Sequence, residues 1–134
     1  MTGEMDLEKL IREMGSELNA GEYVFCSMDP KDRLDNLEPL GWFREREGVT
    51  FILPKAQADE LALPYSFVSA WITLTVHSAL EAVGLTAVVS QALAQAKISC
   101  NIVAAYYHDH LFVPIKDADR AIEILQNMAW SKRG

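Results

Sequence analysis

Apolar and polar positions alternate most regularly in the second half of the chain. In residues 71–76 every second side chain is aliphatic, which is the period of a strand with one buried face. Leu85, Val88, Val89, Ala92 and Ala96 then recur at helical spacing. These patterns predict a strand at 71–76, a helix at 84–96, a strand at 98–107, a turn at 108–110, a strand at 111–115 and a final helix capped by Asp117.

The first half begins with a helical stripe. Leu7, Leu10, Ile11, Met14 and Leu18 share one face, so we predict a helix over 6–18 that stops at Ala20-Gly21. The remaining predicted elements are a strand at 23–27, a charged loop at 29–40 with at most a turn of helix, a hairpin of strands 41–45 and 49–53, a helix at 55–61 and a connector at 64–70.

Both halves follow the same order of elements, strand, helix or loop, two strands and a helix, which argues for an internal duplication. The predicted fold class is α+β, with ferredoxin-like antiparallel sheets that carry helices on one face, in two tandem units at residues 1–65 and 66–134. The second unit lacks a fourth strand. Because an exposed sheet edge favours aggregation, we expect the other half or a second chain to complete it.

Three segments carry a resemblance to a known family. Residues 71–86 (WITLTVHSALEAVGLT) resemble the first strand, loop and helix start of an ACT domain, and residues 98–114 extend the likeness. With the hairpin 45–54 (EREGVTFILP), the chain resembles small proteins with two ACT-like units, of the DUF2241 type. ACT domains are small-molecule sensors, usually of amino acids. The resemblance therefore implies a regulatory, amino-acid-binding protein.

In ACT domains the effector sits at the loop between the first strand and the first helix, at an interface between units. Here Ser78 lies near the position of the family's Asp, and Val83 precedes Gly84 where Pro is common. Free N–H groups at a helix start attract a carboxylate. The residues predicted to bind the ligand are Ser78, Leu80, Glu81, Gly84, Leu85, Asn101 and Tyr107.

Glu81 and Gly84 also have a purely structural interpretation. Glu81 is the one formally charged side chain between Leu61 and Ala96. It either accepts an α-amino group or stabilises the helix start. Gly84 either lets a ligand approach the backbone or serves packing. The small side chains of helix 84–96 fit packing on its own sheet or an interface with another subunit.

The tyrosines of strand 98–107 are expected on opposite faces of that strand. Tyr106 and Tyr107 then point to different sides, so one belongs to the core and the other can line a pocket. Asn101 falls on the face of Tyr107, where its amide can bond to a ligand. Support of the sheet is the alternative role for all three.

The sequence His108-Asp109-His110 raises the question of a metal site. Zinc needs three or four ligands in a tetrahedral arrangement, and His77 is the one further candidate that we identify. We therefore predict no metal, and interpret the motif as a hairpin turn with solvent-facing imidazoles.

Composition and charge exclude several classes of protein. The chain has 134 residues and a net charge of −7, whereas a nucleic-acid binder needs a basic patch. The acidity is concentrated in residues 1–70, with 14 acidic and 7 basic side chains, while residues 71–134 carry five of each. No apolar run is long enough to span a membrane. The polar N-terminus lacks a secretory signal, so we expect a cytoplasmic protein in which Cys26 and Cys100 are reduced strand thiols.

The sequence contains no nucleophile elbow, P-loop or dinucleotide fingerprint. We therefore expect no enzyme and no cofactor, but a regulator that binds a small-molecule effector, and acts as a homodimer or with a metabolic enzyme. Two alternatives remain open. One is an interaction module without a ligand, which pairs through a sheet edge or helix. The other is a small ferredoxin-like enzyme with chemistry around His77, His108 and Asp109, or with a Cys–His pair.

Overall fold

The computed structural model describes Gly3 and residues 6–32 and 37–132. Its elements are α1 (Leu7–Glu13), β1 (Ser16–Leu18), β2 (Tyr23–Met28), β3 (Gly41–Arg44), β4 (Val49–Pro54), α2 (Lys55–Glu60), β5 (Val68–Leu74), α3 (Leu85–Gln95), β6 (Asn101–Ala104), β7 (Asp109–Pro114) and α4 (Ala118–Ser131). The chain forms two compact units. We call residues 21–69 the small unit, and residues 1–20 with 70–134 the large unit.

The small unit is an antiparallel sheet in the order β3, β4, β2 and the start of β5. Val68 and Ser69 of β5 pair with β2, and the Ser69 hydroxyl donates to the Tyr23 carbonyl at 2.8 Å. Its core is Val24, Cys26, Leu53 and Ala58. The loop predicted at 29–40 contains no helix in its described residues, and residues 33–36 lie outside the description.

The large unit has the strand order β1, β5, β7, β6, with β1 antiparallel to β5. Ser16 pairs with Leu74 and Leu18 with Ile72. β1 thereby takes the place of the fourth strand of a ferredoxin-like unit. This confirms the predicted fold class, and the expectation that another part of the chain would complete the missing edge.

The leading helix is shorter than predicted. Asp6 caps α1 by accepting a hydrogen bond from the Lys9 amide at 3.3 Å, but α1 ends at Glu13 and Leu18 is a β1 residue that is 44% exposed. The prediction of a helix to residue 18 was therefore wrong. The physical reason is the antiparallel pairing with β5, which holds residues 16–18 in an extended conformation.

Helices α1, α3 and α4 pack together over one face of the sheet of the large unit. Their apolar side chains meet those of β5 and β7 in one core, composed of Leu10, Ile11, Met14, Ile72, Leu74, Leu85, Val89, Leu93, Leu111, Val113, Ala121 and Leu125. Leu93 is fully buried although the predicted stripe omitted it. Of the small side chains in the predicted helix 84–96, Ala96 packs against this core, whereas Ala87 and Ala94 are exposed. The predicted sequence boundary between residues 65 and 66 remains a prediction.

The second hairpin is displaced from its predicted position. The Ala105 amide donates to the His108 carbonyl at 3.0 Å, so the turn occupies residues 105–108 and β7 begins at Asp109. Strand 98–107 is reduced to β6, and Tyr106 and Tyr107 lie in the turn. The expected turn at 108–110 and the expected opposite strand faces of the tyrosines were wrong, because the pairing of Ala104 with Asp109 fixes the register.

Gly84 provides a test of this packing. Its φ is +102°, and a Cβ there would lie 3.0 Å from Leu7 Cδ2. We expect Gly84→Ala to lower the free energy of unfolding by about 1–3 kcal/mol, because the backbone is strained for any L side chain and Leu7 must shift. Gly41→Ala is the matched control, since no atom lies within 4 Å of its Cβ position. Urea unfolding that showed equal losses for both variants would contradict this account.

Candidate functional site

A cavity of about 140 Å³ lies at the connection between β5 and α3, in the large unit. It is lined by Ser78, Ala79, Leu80, Ala82, Leu85, Thr86, Ala104 and Asp109. A cavity of ~150 Å³ in a protein core holds a molecule the size of benzene. The connection therefore has room for a small guest.

Asp109 brings a carboxylate to this cavity. It is the first residue of β7, is 6% exposed, and accepts a hydrogen bond from the Ser78 hydroxyl at Oδ2, 3.3 Å away. Burial raises the pKa of Asp109, while the Ser78 hydrogen bond and, whenever they are protonated, the imidazoles of His110 and His108 oppose that rise. None of the described residues that line the cavity is basic. A guest with a positive charge would therefore stabilise the ionised carboxylate.

The start of α3 forms another part of the cavity wall through Leu85 and Thr86. Gly84 is the N-cap residue, without a side-chain hydrogen bond to the helix, and the Val88 amide donates to its carbonyl at 2.9 Å. The preceding amides have no partner inside the helix. The positive end of the helix dipole thus borders the cavity, where it favours an anionic group.

The structure brings some of the predicted ligand residues together and separates others. Ser78, Leu80 and Leu85 line the cavity. Gly84 is not among the lining residues and packs against Leu7. Glu81 is exposed outside the lining.

Asn101 and Tyr107 do not line the cavity either. Asn101 is exposed and pairs with Phe112, at the end of β6 remote from Ala104. Tyr107 is exposed in the turn. Because Tyr107 lies in the turn and not in a strand, it does not share a strand face with Asn101.

Asp109 is the functional candidate that the sequence reasoning missed as a ligand residue. Asp109, Leu111 and Val113 alternate along β7, and all three are buried. A strand that began two residues earlier than predicted would have placed the carboxylate on the core side. Alternation from Leu111 backwards was the signal, and the assumption of a turn at 108–110 concealed it.

Three rings form a cluster next to the hairpin turn. The rings of Tyr106 and Tyr107 meet edge to face with centroids 4.9 Å apart, and the His77 ring lies 6.5 and 5.6 Å from them. Both tyrosines are more than half exposed. The expectation that one of them belongs to the core was wrong, because the turn carries both away from the sheet.

His110 points to the opposite side of β7 from Asp109 and belongs to a polar network. The Trp71 indole N–H donates to His110 Nδ1 at 3.0 Å, and Thr73 Oγ1 lies 3.1 Å from the same atom. Because an indole N–H only donates, Nδ1 accepts and the ring is neutral with its proton on Nε2. Burial lowers the pKa of His110, and the charge of His108 adds to this effect.

The predicted solvent-facing imidazoles are therefore not observed. His110 is half-buried against Trp71, and His108 is half-buried with Nδ1 3.4 Å from the Val76 carbonyl. Within the described parts of the chain, no three His, Cys, Asp or Glu side chains are grouped so that they could hold a metal ion.

Cys26 and Cys100 are free thiols. Cys26 lies inside β2, and Cys100 directly precedes β6. Burial raises the pKa of Cys26, and it raises the pKa of Cys100 to about 11. Since the thiolate is the reactive form, neither residue offers an activated nucleophile at neutral pH.

Two larger depressions differ from the cavity in their chemistry. One of about 310 Å³ lies between α1, α3 and α4, and its single charged lining residue is Lys132. The other, of about 400 Å³, belongs to the small unit, where Lys55 and Asp59 pair with each other at 2.9 Å. Both are more open to solvent than the cavity at Asp109, and neither contains a buried charge.

Comparison with known proteins identifies two matching families. An ACT domain family model matches residues 2–70, and a second ACT domain model matches residues 66–127. No curated protein matched the chain. Among the described residues, no helix has the length and apolar character that crossing a membrane requires.

The chain is also similar to solved structures. A protein of unknown function from Vibrio cholerae, VC0802, named as a possible transport protein, is 45% identical with a TM-score of 0.82, over 92% of this chain and 95% of that one. The regulatory subunit of aspartate kinase from Thermus flavus is 12% identical with a TM-score of 0.63, over 85% and 96%. E. coli aspartokinase III in complex with aspartate and ADP is 13% identical with a TM-score of 0.62, over 86% and 33%. The two kinase proteins show the fold alone.

The half-buried His110 predicts a dependence of stability on pH. As the pH falls through about 6.5, the unfolded chain takes up a proton at this residue, whereas the folded protein does not, because its pKa is lowered. The stabilisation that His110 gives the folded protein is therefore fully present above the pKa of this residue in the unfolded chain. It is lost as the pH falls to the lower pKa that the residue has in the folded protein. We expect the variant His110→Gln, which can still accept the hydrogen bond from Trp71, to show a smaller change of the unfolding free energy over this pH range.

Urea unfolding at a series of pH values between about 5 and 8 measures the effect. His77→Gln is the control, since it removes another histidine of the large unit, and it is expected to keep the slope. An unchanged slope in His110→Gln would show that the network around Trp71 does not determine this dependence.

Proposed function

This chain belongs to the ACT domain family, and from that premise we propose that it is a regulatory protein without catalytic activity that binds an amino-acid effector. The observation that carries the proposal is the cavity at the connection between β5 and α3. In ACT domains the effector sits at the connection between the first strand and the first helix, and this supports the proposal. A buried carboxylate and a helix start in its wall are suited to the two charged groups of an amino acid.

The contacts that we propose for the effector are a revision of those predicted from the sequence. Ser78, Leu80 and Leu85 remain, because they line the cavity. We leave Glu81, Gly84, Asn101 and Tyr107 out of the proposed contacts, because none of them is among the residues that line the cavity. The regulatory subunit of aspartate kinase shares the fold, which agrees with a regulatory role for a small protein of this architecture.

We further propose that a second subunit covers the loop beside the cavity. Leu80 is 66% exposed and Val83 is 82% exposed, which is apolar surface next to a binding site. A homodimer or a complex with a metabolic enzyme would bury both side chains. The effector regulates such a complex if it binds the assembled and free states with different affinities. The two free thiols fit a reducing compartment, and we place the protein in the cytoplasm.

A thermal-shift screen against the common amino acids tests the proposed function. We expect saturable stabilisation of about 1–3 kcal/mol at 10–100 times Kd for at least one of them. Ala104→Leu is expected to abolish the shift, because the larger side chain fills the cavity that Ala104 lines. Val103→Leu, one residue earlier on β6 and absent from the lining, is the control. No shift with any amino acid would favour an interaction module without a ligand.

The proposed covering subunit is tested by the mass of the protein in solution. We expect light scattering of the purified chain to show a dimer that Val83→Glu converts to a monomer, because a charge would be buried at the interface. Ala94→Glu, which adds the same charge at an exposed position of α3, should leave the dimer intact. If the protein is a monomer in every case, with or without amino acid, the proposed homodimer is wrong. The complex with a metabolic enzyme is then the assembly that the proposal retains.

A further inference from the structure

We propose that Asp109 binds the ammonium group of the effector, and that the effector is a small zwitterionic amino acid with an uncharged side chain. This inference rests on the proposed function and goes beyond it, because it names the anchoring residue and the chemical class. The observation that carries it is a buried carboxylate in the wall of an otherwise uncharged cavity.

The position of the carboxylate selects for a positive group. Asp109 is 6% exposed, and Ser78 donates to one of its oxygens at 3.3 Å. A carboxylate accepts more than one hydrogen bond, and an ionised group in a nearly buried position is costly until a charge compensates it. An ammonium group supplies both the charge and the donors. Glu81 remains hydrated at the surface, so it gains much less from the same group.

The start of α3 favours a guest that also carries a negatively charged carboxylate. Leu85 and Thr86 belong to the first turn of the helix and line the same cavity as Asp109. Amides of a first turn bind carboxylates. The cavity therefore offers one site for each charge of a zwitterion, and a simple amine or a simple carboxylic acid uses only one of them.

The rest of the wall limits the side chain of the guest. Ala79, Leu80, Ala82 and Ala104 are uncharged, and Asp109 is the one charged residue of the lining. A guest with a charged side chain would lose hydration without finding a partner. The cavity has a volume of about 140 Å³, which a benzene-sized ring alone would fill. Among the amino acids, glycine, alanine and serine are small enough to fit.

Isothermal titration of the full chain with glycine, L-alanine and L-serine tests the inference. We expect Asp109→Asn to weaken binding about tenfold or more, while Glu81→Gln, the same change in charge on the cavity loop, leaves the affinity unchanged. On the unaltered protein, propionate and ethylamine should bind at least about tenfold more weakly than L-alanine. L-Lysine, L-aspartate and L-phenylalanine should also bind more weakly.

The possible failures are distinguishable. If the unaltered protein binds no amino acid, both the proposed function and this inference are overturned. If it binds L-alanine but Asp109→Asn binds equally well, or Glu81→Gln is the variant that loses affinity, the inference alone is overturned. Tighter binding of propionate, or of a charged or aromatic amino acid, also overturns the inference alone. Should Asp109→Asn fail to fold, the comparison of L-alanine with propionate and ethylamine decides.

Discussion

The large unit depends on the antiparallel pairing between β1 and β5. A ferredoxin-like sheet needs a fourth strand beside its first, and residues 16–18 supply it although they lie far away in sequence. The contact is extended at both ends. The Thr75 amide donates to the Gly15 carbonyl at 2.9 Å, and the Asn19 amide donates to the Trp71 carbonyl at 2.9 Å. The Asn19 side chain also donates to Thr73 Oγ1 at 3.0 Å. This pairing protects the edge of β5 and holds in place the strand that leads into the cavity loop.

The register of β7 determines the chemistry on both faces of the sheet. Successive residues of a strand point to opposite sides, so Asp109 belongs to the cavity and His110 to the network of Trp71 and Thr73. A slip by one residue that moved Asp109 into this network would bring His108 to the cavity in its place. Burial of the Asp109 carboxylate carries a desolvation cost, which the hydrogen bond from Ser78 offsets in part.

Much of the fold could be predicted from the sequence, because the period of apolar positions reports local structure. The hairpin around Gly48, the strand through Ile72 and the helix from Leu85 all follow from it. The errors lie where a long-range contact overrides a local pattern. Leu18 continues a helical stripe but belongs to a strand, and Asp109 stands in a turn-like sequence but opens a strand. The cavity loop could be located from the sequence, whereas its acid could not, because proximity across the sheet depends on register.

The assignment of residues 1–20 to the large unit has a consequence for synthesis. Residues 16–18 are translated more than fifty positions before residues 72–74, with which they pair. At ~5–20 residues per second, the early segment waits for its partner strand for roughly 3–11 seconds on the ribosome. During that interval Leu10, Ile11 and Met14 have no core to enter, and exposed apolar segments of a nascent chain are substrates for chaperones. Slow codons between these positions would prolong that exposure.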